Sequence, residues 1–286
     1  MKRSLVSIFF IAFLAAVSLS IQSCSNEKKE EVKSDSVQLK GKLVLTGSST
    51  VAPLVAEIGK RFETLHSDVR IDVQTGGSSR GIADARQGLA DIGMASRTLK
   101  EEENDLLGFP IALDGICLIV HKSNQVSELS DKQIIDIYTG KITNWNEVGG
   151  NDAPITVVNK AEGRATLELF LNYFKLKSPD IKADVVVGDN EQGVKTVAGN
   201  PNSIGYVSIG TAEYDAQDGV PIKLLPVGGI EASLENVKNG TFPISRPLTL
   251  VTKTEPEGLA KAFVDFARSE EVHDVVKEQY FVPISK

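Results

Sequence analysis

Three short turns of this sequence combine glycine with hydroxyl or charged side chains, in patterns that hold anions or perform nucleophilic chemistry. They are Gly47–Thr50 (GSST), Gly77–Gly81 (GSSRG) and Glu162–Thr166 (EGRAT). The second turn matches the G-x-S-x-G pattern of a hydrolase nucleophile elbow, with Ser79 as the nucleophile. It also matches a turn that binds an anion at a helix N-terminus, where backbone N–H groups are free and the helix dipole is positive. The two interpretations predict an enzyme and a carrier, respectively, and a third interpretation is a solvated surface turn without a ligand.

A serine hydrolase needs a histidine base and a carboxylate beside its nucleophile. The chain has 3 histidines: His66 at a predicted helix end, His121 at a predicted strand end, and His273 in the terminal helix. None has the sequence context of a catalytic base, and no HGGG-type oxyanion turn is present. The sequence therefore favours the anion-binding interpretation without catalytic residues, and a hydrolase using Ser79 is the weaker alternative. Because no Cys/His cluster has ligand spacing, we predict no metal and no cofactor.

All three turns follow a predicted strand and precede a predicted helix. Predicted strands cover residues 42–45, 69–73, 90–94, 110–121, 155–158, 204–207 and 248–253, with a further strand from 185. Predicted helices cover residues 54–65, 82–89, 131–138, 167–174, 193–198 and 256–269. This alternation predicts an α/β fold with a mostly parallel sheet and helices on both of its faces. If the three turns converge across a cleft, their hydroxyl and amide groups surround a small oxyanion.

Two long apolar strands, near Cys117 and near Leu250, bracket a self-contained middle section. They predict that the chain crosses twice between two lobes that close on a ligand, with the crossings acting as hinges. The predicted first lobe comprises residues 41–119 and 249–286, and the second comprises 120–248. Cys117, the only cysteine after residue 24, is interpreted as a small core residue.

The N-terminus has the composition of an export signal. Lys2 and Arg3 precede a short apolar run, so residues 1–23 are predicted to be a signal peptide that is too short to span a bilayer. Cys24 follows a small residue, as in a bacterial lipobox, and is the predicted lipidation site. Residues 24–40 are charged and serine-rich, which predicts a flexible tether between a lipid anchor in the membrane and the folded body.

The chain is acidic, with a formal net charge of −7. This charge, and the lack of a basic stripe or an aromatic stacking platform, argue against nucleic acid as a partner. Any bound anion must therefore be held by local donors.

Six segments of the body carry a family resemblance. They are TGSSTVAPL (46–54), TGGSSRGIADA (75–85), DIGMASR (91–97), IYTGKITNWNEVGG (137–150), SIGYV (203–207) and ISRPLTLVTK (244–253). With them, residues 42–286 resemble the phosphate-binding protein of the bacterial ABC-type phosphate importer. The resemblance implies a two-lobed periplasmic-binding-protein type II (Venus-flytrap) fold and capture of inorganic phosphate for the membrane permease of an ABC importer. The N-terminal signal and Cys24 predict an exported protein that is lipid-anchored to a bacterial membrane and faces the periplasm or the extracellular side.

The resemblance assigns phosphate ligands to all three turns. By position they are Ser49, Thr50 and the amide of Val51 in the first turn, Ser78 with Ser79 in the second, and Thr166 with the amide of Ala165 in the third. Two alternatives stay open, namely a binding protein for another tetrahedral oxyanion such as sulfate, and an adhesive or signalling lipoprotein with the same fold.

Three positions depart from the family pattern, and we count all three as candidate phosphate ligands. Arg164 replaces a serine, Lys160 replaces an arginine, and Arg97 replaces an aspartate. In the family that aspartate accepts the proton of hydrogen phosphate and thereby rejects sulfate, so selectivity here requires another carboxylate. We name Asp114, at the start of a hinge strand. Our hypothesis is that Asp114 pairs with an arginine of the site or accepts the phosphate proton, the alternative being a structural carboxylate at a strand end.

Overall fold

The computed structural model describes residues 39–284. The predicted signal peptide 1–23, the lipidation site Cys24 and the tether up to residue 38 lie outside the described residues. The strands are β1 Gly41–Gly47, β2 Val69–Thr75, β3 Ile92–Ala95, β4 Leu107–His121, β5 Thr156–Lys160, β6 Val185–Val187, β7 Ser203–Ser208, β8 Ile222–Leu225, β9 Ser245–Thr252 and β10 Val282–Pro283.

Helices separate most of these strands, as the sequence predicts. The α-helices are α1 Val51–Leu65, α2 Ser78–Gln87, α3 Asp131–Tyr138, α4 Ala165–Phe174, α5 Asn190–Gly199, α6 Ile209–Gln217, α7 Leu234–Lys238, α8 Gly258–Ala267 and α9 His273–Glu278. Short 3-10 helices cover Glu101–Glu103, Trp145–Val148, Ser178–Asp180 and Glu270–Val272. The predicted start of α3 is confirmed, because Ser130 Oγ accepts the Gln133 N–H at 3.3 Å and the Gln133 side chain accepts the Ser130 N–H at 2.9 Å.

One sheet of ten strands runs through the described residues, in the order β2-β1-β3-β9-β4-β7-β5-β6, with β8 and β10 paired to β4. The predicted mostly parallel pairing was wrong for its centre. Parallel pairs join β1 to β2 and β3, and β5 to β6 and β7. β4 and β9 pair antiparallel with each other and with their other neighbours. The reason is topological, since β4 leads the chain out of one half of the molecule and β9 leads it back.

The buried apolar residues form two main clusters, which define two lobes. The first contains Leu45, Ile58 and Phe263, and the second contains Ile119, Phe170 and Tyr206. Along β4, the buried apolar residues belong to the first cluster up to Ala112 and to the second cluster from Ile116 onward. On the return of the chain, Ile244 just before β9 belongs to the second cluster and Leu248 within β9 belongs to the first. The first lobe accordingly carries β1–β3, α1, α2, α8 and α9, and the second carries β5–β8 and α3–α7. The predicted lobe boundaries at residues 119/120 and 248/249 stay predictions.

Within residues 39–284, no helix is both long enough and apolar enough to cross a bilayer.

Candidate functional site

Each of the three turns begins a helix directly after a strand. Thr50 immediately precedes α1, Gly77 immediately precedes α2, and Arg164 immediately precedes α4. The first two turns are joined by backbone hydrogen bonds, because the amides of Gly76 and Gly77 both donate to the Gly47 carbonyl at 2.9 Å. The predicted strand–turn–helix order of these turns is therefore confirmed.

The hydroxyl groups of two turns meet at one guanidinium, that of Arg246. Its Nη1 donates to Thr166 Oγ1 at 2.9 Å and to Ser96 Oγ at 3.2 Å, and its Nη2 donates to Thr50 Oγ1 at 3.3 Å. Only 2 % of Arg246 is exposed. Because Thr50 belongs to the first lobe and Thr166 to the second, this buried cation contacts hydroxyl groups from both lobes.

Two further polar residues extend the cluster of hydroxyls around Arg246. Ser78, from the second turn, accepts the Ser96 N–H at 3.1 Å, and the two hydroxyl oxygens are 3.5 Å apart. Asn190, the first residue of α5, donates from Nδ2 to Thr50 Oγ1 at 3.0 Å and to Thr211 Oγ1 at 3.3 Å. All three turns thus reach the same buried cluster. We call Thr50, Ser78, Ser96, Thr166, Asn190 and Arg246 the hydroxyl cluster.

Asp114 balances the charge of Arg246. The Asp114 Oδ2 atom accepts from Arg246 Nη2 at 2.8 Å and from Arg246 Nε at 3.0 Å, and both side chains are 0 % exposed. Gly210 N–H donates to the other carboxylate oxygen at 3.4 Å. The two residues are direct cross-strand partners of β4 and β9, at the level where both strands pass between the lobes. The pairing half of the Asp114 hypothesis thus agrees with the structure, and transfer of the phosphate proton to Asp114 stays a prediction.

Lys160 ends β5 in a buried position beside the cluster. Its Nζ donates to the Asp189 carbonyl at 2.5 Å, and only 3 % of the residue is exposed. Burial lowers the pKa of Lys160 to about 7, since the nearby Asp189 carboxylate only partly offsets the desolvation and the positive charges of Arg246 and Arg164 lower it further. The amine therefore exchanges protons near neutral pH, whereas an arginine at this position stays charged.

The free energy of unfolding is expected to rise with pH between about pH 7 and pH 10 because of Lys160. Its pKa falls from the ordinary value of 10.5 to about 7 on folding, so the unfolded chain binds more protons across this window. The resulting contribution is about 1 kcal/mol per pH unit, measured by urea unfolding at several pH values. Lys160→Met should flatten the rise, and the exposed Lys60→Met should retain it. Equal slopes for the wild type and Lys160→Met would contradict the assignment.

Two predicted ligands, Arg97 and Ser79, contact carboxylates rather than the hydroxyl cluster. Arg97 donates to Glu103 through Nη1 at 2.7 Å and through Nη2 at 2.8 Å, and its Nε is 3.1 Å from Glu168 Oε2. Ser79 donates from Oγ to Glu168 Oε1 at 3.3 Å. The physical reason is electrostatic, because a buried guanidinium is stabilised by carboxylates and both partners are supplied within reach of Arg97.

The remaining predicted residues lie at helix starts near the cluster. Ser49 is half-buried, and the amides of Thr50 and Val51 donate to Ser48 Oγ at 3.2 and 3.4 Å. Ala165 is the first residue of α4, and its side chain is buried. Arg164 lies against the second turn, since a Cβ atom on Gly77 would come within 2.9 Å of Arg164 Cδ.

Sequence reasoning missed three members of the hydroxyl cluster, namely Ser96, Asn190 and Arg246. The predicted strand 248–253 began after Arg246 and Pro247, whereas β9 begins at Ser245 and includes Arg246. Asn190 had a usable signal, because it follows β6 and begins α5 in the same strand–turn–helix pattern as the other three turns. Ser96 lay inside a quoted segment but gave no signal of its own.

The histidines do not support a hydrolase. His66 packs against the Phe62 ring at a centroid distance of 4.6 Å, His121 Nδ1 is 2.7 Å from Ser123 Oγ, and His273 begins α9. The hydroxyl of Ser79, in turn, donates to a carboxylate. This arrangement is not a nucleophile–base pair.

Comparisons with known proteins agree with this geometry. Residues 33–271 match the family described as PBP superfamily domain. The chain is 28% identical to the phosphate-binding protein PstS of Bacillus subtilis, over 99% of this chain and 95% of that protein. It is 32% identical to PstS of Staphylococcus epidermidis, over 77% of this chain and 71% of that protein. A crystal structure of a putative phosphate ABC transporter substrate-binding protein with bound phosphate, from Clostridium perfringens, superposes with a TM-score of 0.80 at 38% identity, covering 86% of this chain and 100% of that one.

Proposed function

Because this chain belongs to the PBP superfamily and, within it, to the family of the PstS phosphate-binding proteins, we propose that it captures inorganic phosphate between its lobes for an ABC importer. The family consists of substrate-binding proteins rather than enzymes, and we propose that this chain likewise has no catalytic activity. The anion it releases passes to the membrane permease of the importer.

The observation that supports this function best is the meeting of the turns at Arg246. A tetrahedral dianion needs several donors from different directions and a nearby cation. The hydroxyls of Thr50, Ser78 and Thr166 supply the first requirement, and Arg246 supplies the second. Neutral donors and one charge-balanced cation bind an anion strongly inside a closed, water-poor site, because the low dielectric strengthens each contact. The acidic net charge of the chain is therefore compatible with anion binding.

Three cations near the cluster take different roles in this proposal. Arg246 contacts the anion directly through the atoms that now reach the hydroxyls. Lys160 adds a second charge whose protonation follows pH. Arg164, beside Gly77 at the edge of the cluster, attracts the incoming anion. Arg97 is left out of the direct contacts, because Glu103 and Glu168 hold its guanidinium.

Thr166→Val is expected to weaken phosphate binding about tenfold, because a hydrogen-bond donor beside a charged group is lost at nearly constant volume. Isothermal titration with phosphate measures the effect. Thr64→Val on α1 is the matched control, since Thr64 is exposed and its Oγ1 donates to the Lys60 carbonyl of the same helix. Equal affinity of Thr166→Val and wild type would remove the third turn from the site.

The choice between phosphate and sulfate is tested in the same titrations. We expect phosphate to bind and equimolar sulfate not to displace it, and we expect Asp114→Asn to reduce this discrimination. Asp114 takes two Arg246 donors on one oxygen and one backbone N–H on the other. Sulfate binding as tight as phosphate binding in the wild type would identify a carrier of another tetrahedral oxyanion. Unchanged discrimination in Asp114→Asn would remove Asp114 as the proton acceptor.

For localisation, we propose that the protein is extracytoplasmic and held at the membrane by lipidated Cys24. The basic and apolar start of residues 1–23 and the polar tether that follows Cys24 support this proposal. Fractionation of cells that express the full chain tests it, with Cys24→Ser expected to move the protein into the soluble extracytoplasmic fraction. Unchanged membrane association of Cys24→Ser would contradict lipid anchoring at this residue.

A further inference from the structure

The carboxylate of Glu168, on α4 of the second lobe, contacts three side chains of the first lobe. Glu168 Oε2 is 3.1 Å from Arg97 Nε and 2.8 Å from Lys100 Nζ, and Oε1 accepts from Ser79 Oγ at 3.3 Å. We call Ser79, Arg97, Lys100 and Glu168 the interlobe latch. Its members are distinct from the hydroxyl cluster.

A backbone hydrogen bond reinforces the interlobe latch. The Ser79 amide donates to the Gly163 carbonyl at 3.2 Å, from the first lobe to the second. Ser79 is the second residue of α2, so its amide has no acceptor within its own helix. Separation of the lobes therefore exposes this particular amide to water.

The charge that faces Glu168 is held by a carboxylate of its own lobe. Glu103, in the same lobe as Arg97, binds the Arg97 guanidinium through two hydrogen bonds of 2.7 and 2.8 Å. Only 5 % of the Arg97 side chain and 22 % of the Glu168 side chain are exposed. Because the pair is largely shielded from solvent and one partner is already ordered, its attraction is stronger and costs less side-chain entropy than that of a surface ion pair.

We propose that the interlobe latch stabilises the closed arrangement of the lobes independently of the anion, and that it slows release of the captured anion. No latch contact passes through the hydroxyl cluster, so the latch acts on opening rather than on recognition. Only the effect on anion release rests on the proposed function, because opening of the lobes can be measured without a ligand. The Lys100 side chain is 43% exposed, so the Lys100–Glu168 ion pair is more accessible to solvent than the Arg97–Glu168 pair.

The central test is Glu168→Gln, which removes the charge and retains an oxygen that can accept from Ser79. Hydrogen exchange of the Ser79 amide in the anion-free full chain is expected to accelerate about tenfold, because the loss of one partly buried ion pair makes opening of the lobes more frequent. The dissociation rate of phosphate, measured by stopped flow, is expected to rise by a similar factor with little change in the association rate. Lys100→Met, at a more exposed position, should show the same changes at smaller size.

Glu162→Gln is the matched control, because Glu162 lies in the same turn region and accepts a hydrogen bond from Ser178 of its own lobe. It should leave Ser79 exchange unchanged. Unchanged Ser79 exchange in both Glu168→Gln and Lys100→Met would overturn the latch, as would an unprotected Ser79 amide in the anion-free wild type. Faster exchange in a protein that binds no phosphate would support the latch and contradict the proposed function.

Discussion

Replacement of Arg246 by glutamine is expected to weaken phosphate binding at least about 100-fold, because it removes the guanidinium that contacts Thr50, Thr166 and Ser96 together. The same change leaves Asp114 buried without its partner, so we also expect a loss of about 3 to 5 kcal/mol in the free energy of unfolding. Calorimetric titration and urea unfolding measure the two effects separately.

Two further variants separate binding from stability. Arg80→Gln is the matched control, since Arg80 lies in the second turn and pairs with Asp84 while its side chain is 60% exposed. It should alter neither quantity by much. The double variant Asp114→Asn/Arg246→Gln should recover part of the stability, because no buried charge is left unpaired, and should still fail to bind phosphate. Phosphate affinity at the wild-type level in Arg246→Gln would show that the hydroxyl cluster is not the anion site.

Gly81→Ala is expected to lower the free energy of unfolding by about 3 kcal/mol, at the upper end of overpacking effects. A Cβ atom at this position would lie 2.5 Å from the Thr46 carbonyl oxygen, 2.8 Å from Gly47 Cα and 2.8 Å from the Met94 carbonyl oxygen. All three atoms belong to backbone of the β1–β3 region, which cannot move aside without breaking the sheet. α2 would have to shift, and Ser78 would leave the hydroxyl cluster with it, so phosphate binding should weaken as well.

Thermal unfolding followed by circular dichroism measures this loss, which corresponds to a decrease in Tm of roughly 6 to 12 °C for a chain of this size. Gly199→Ala is the matched control, because Gly199 ends α5 and nothing lies within 4 Å of its added Cβ. There the substitution should be neutral or slightly stabilising, since alanine loses less backbone entropy than glycine on folding. A Tm for Gly81→Ala within a degree or so of that control would contradict the close approach of α2 to the sheet.

Features encoded by neighbouring residues could be predicted from the sequence. The alternation of strands and helices, the Ser130 cap of α3 and the three strand–turn–helix turns each depend on residues close together in the chain. The family resemblance rested on such segments, and the family, the two-lobed fold and the shared presence of the turns followed from them. The prediction that Asp114 pairs with an arginine agrees with the structure, because a buried carboxylate needs a cation, although Asp114 lies in the middle of β4 rather than at its predicted start.

Which arginine meets Asp114 was decided by tertiary structure. Arg246 lies 132 residues further along the chain and reaches Asp114 only through the antiparallel register of β4 and β9, which sequence periodicity does not specify. The same applies to Arg97 and Ser79, whose side chains face Glu103 and Glu168. Their sequence context predicts a turn beside an anion, but the direction of a long side chain depends on which opposite charges the other elements bring near it. The sequence by itself thus determined the turns and the fold that gathers them, whereas long-range strand pairing and charge pairing decided which residues form the cluster and which ones join the lobes.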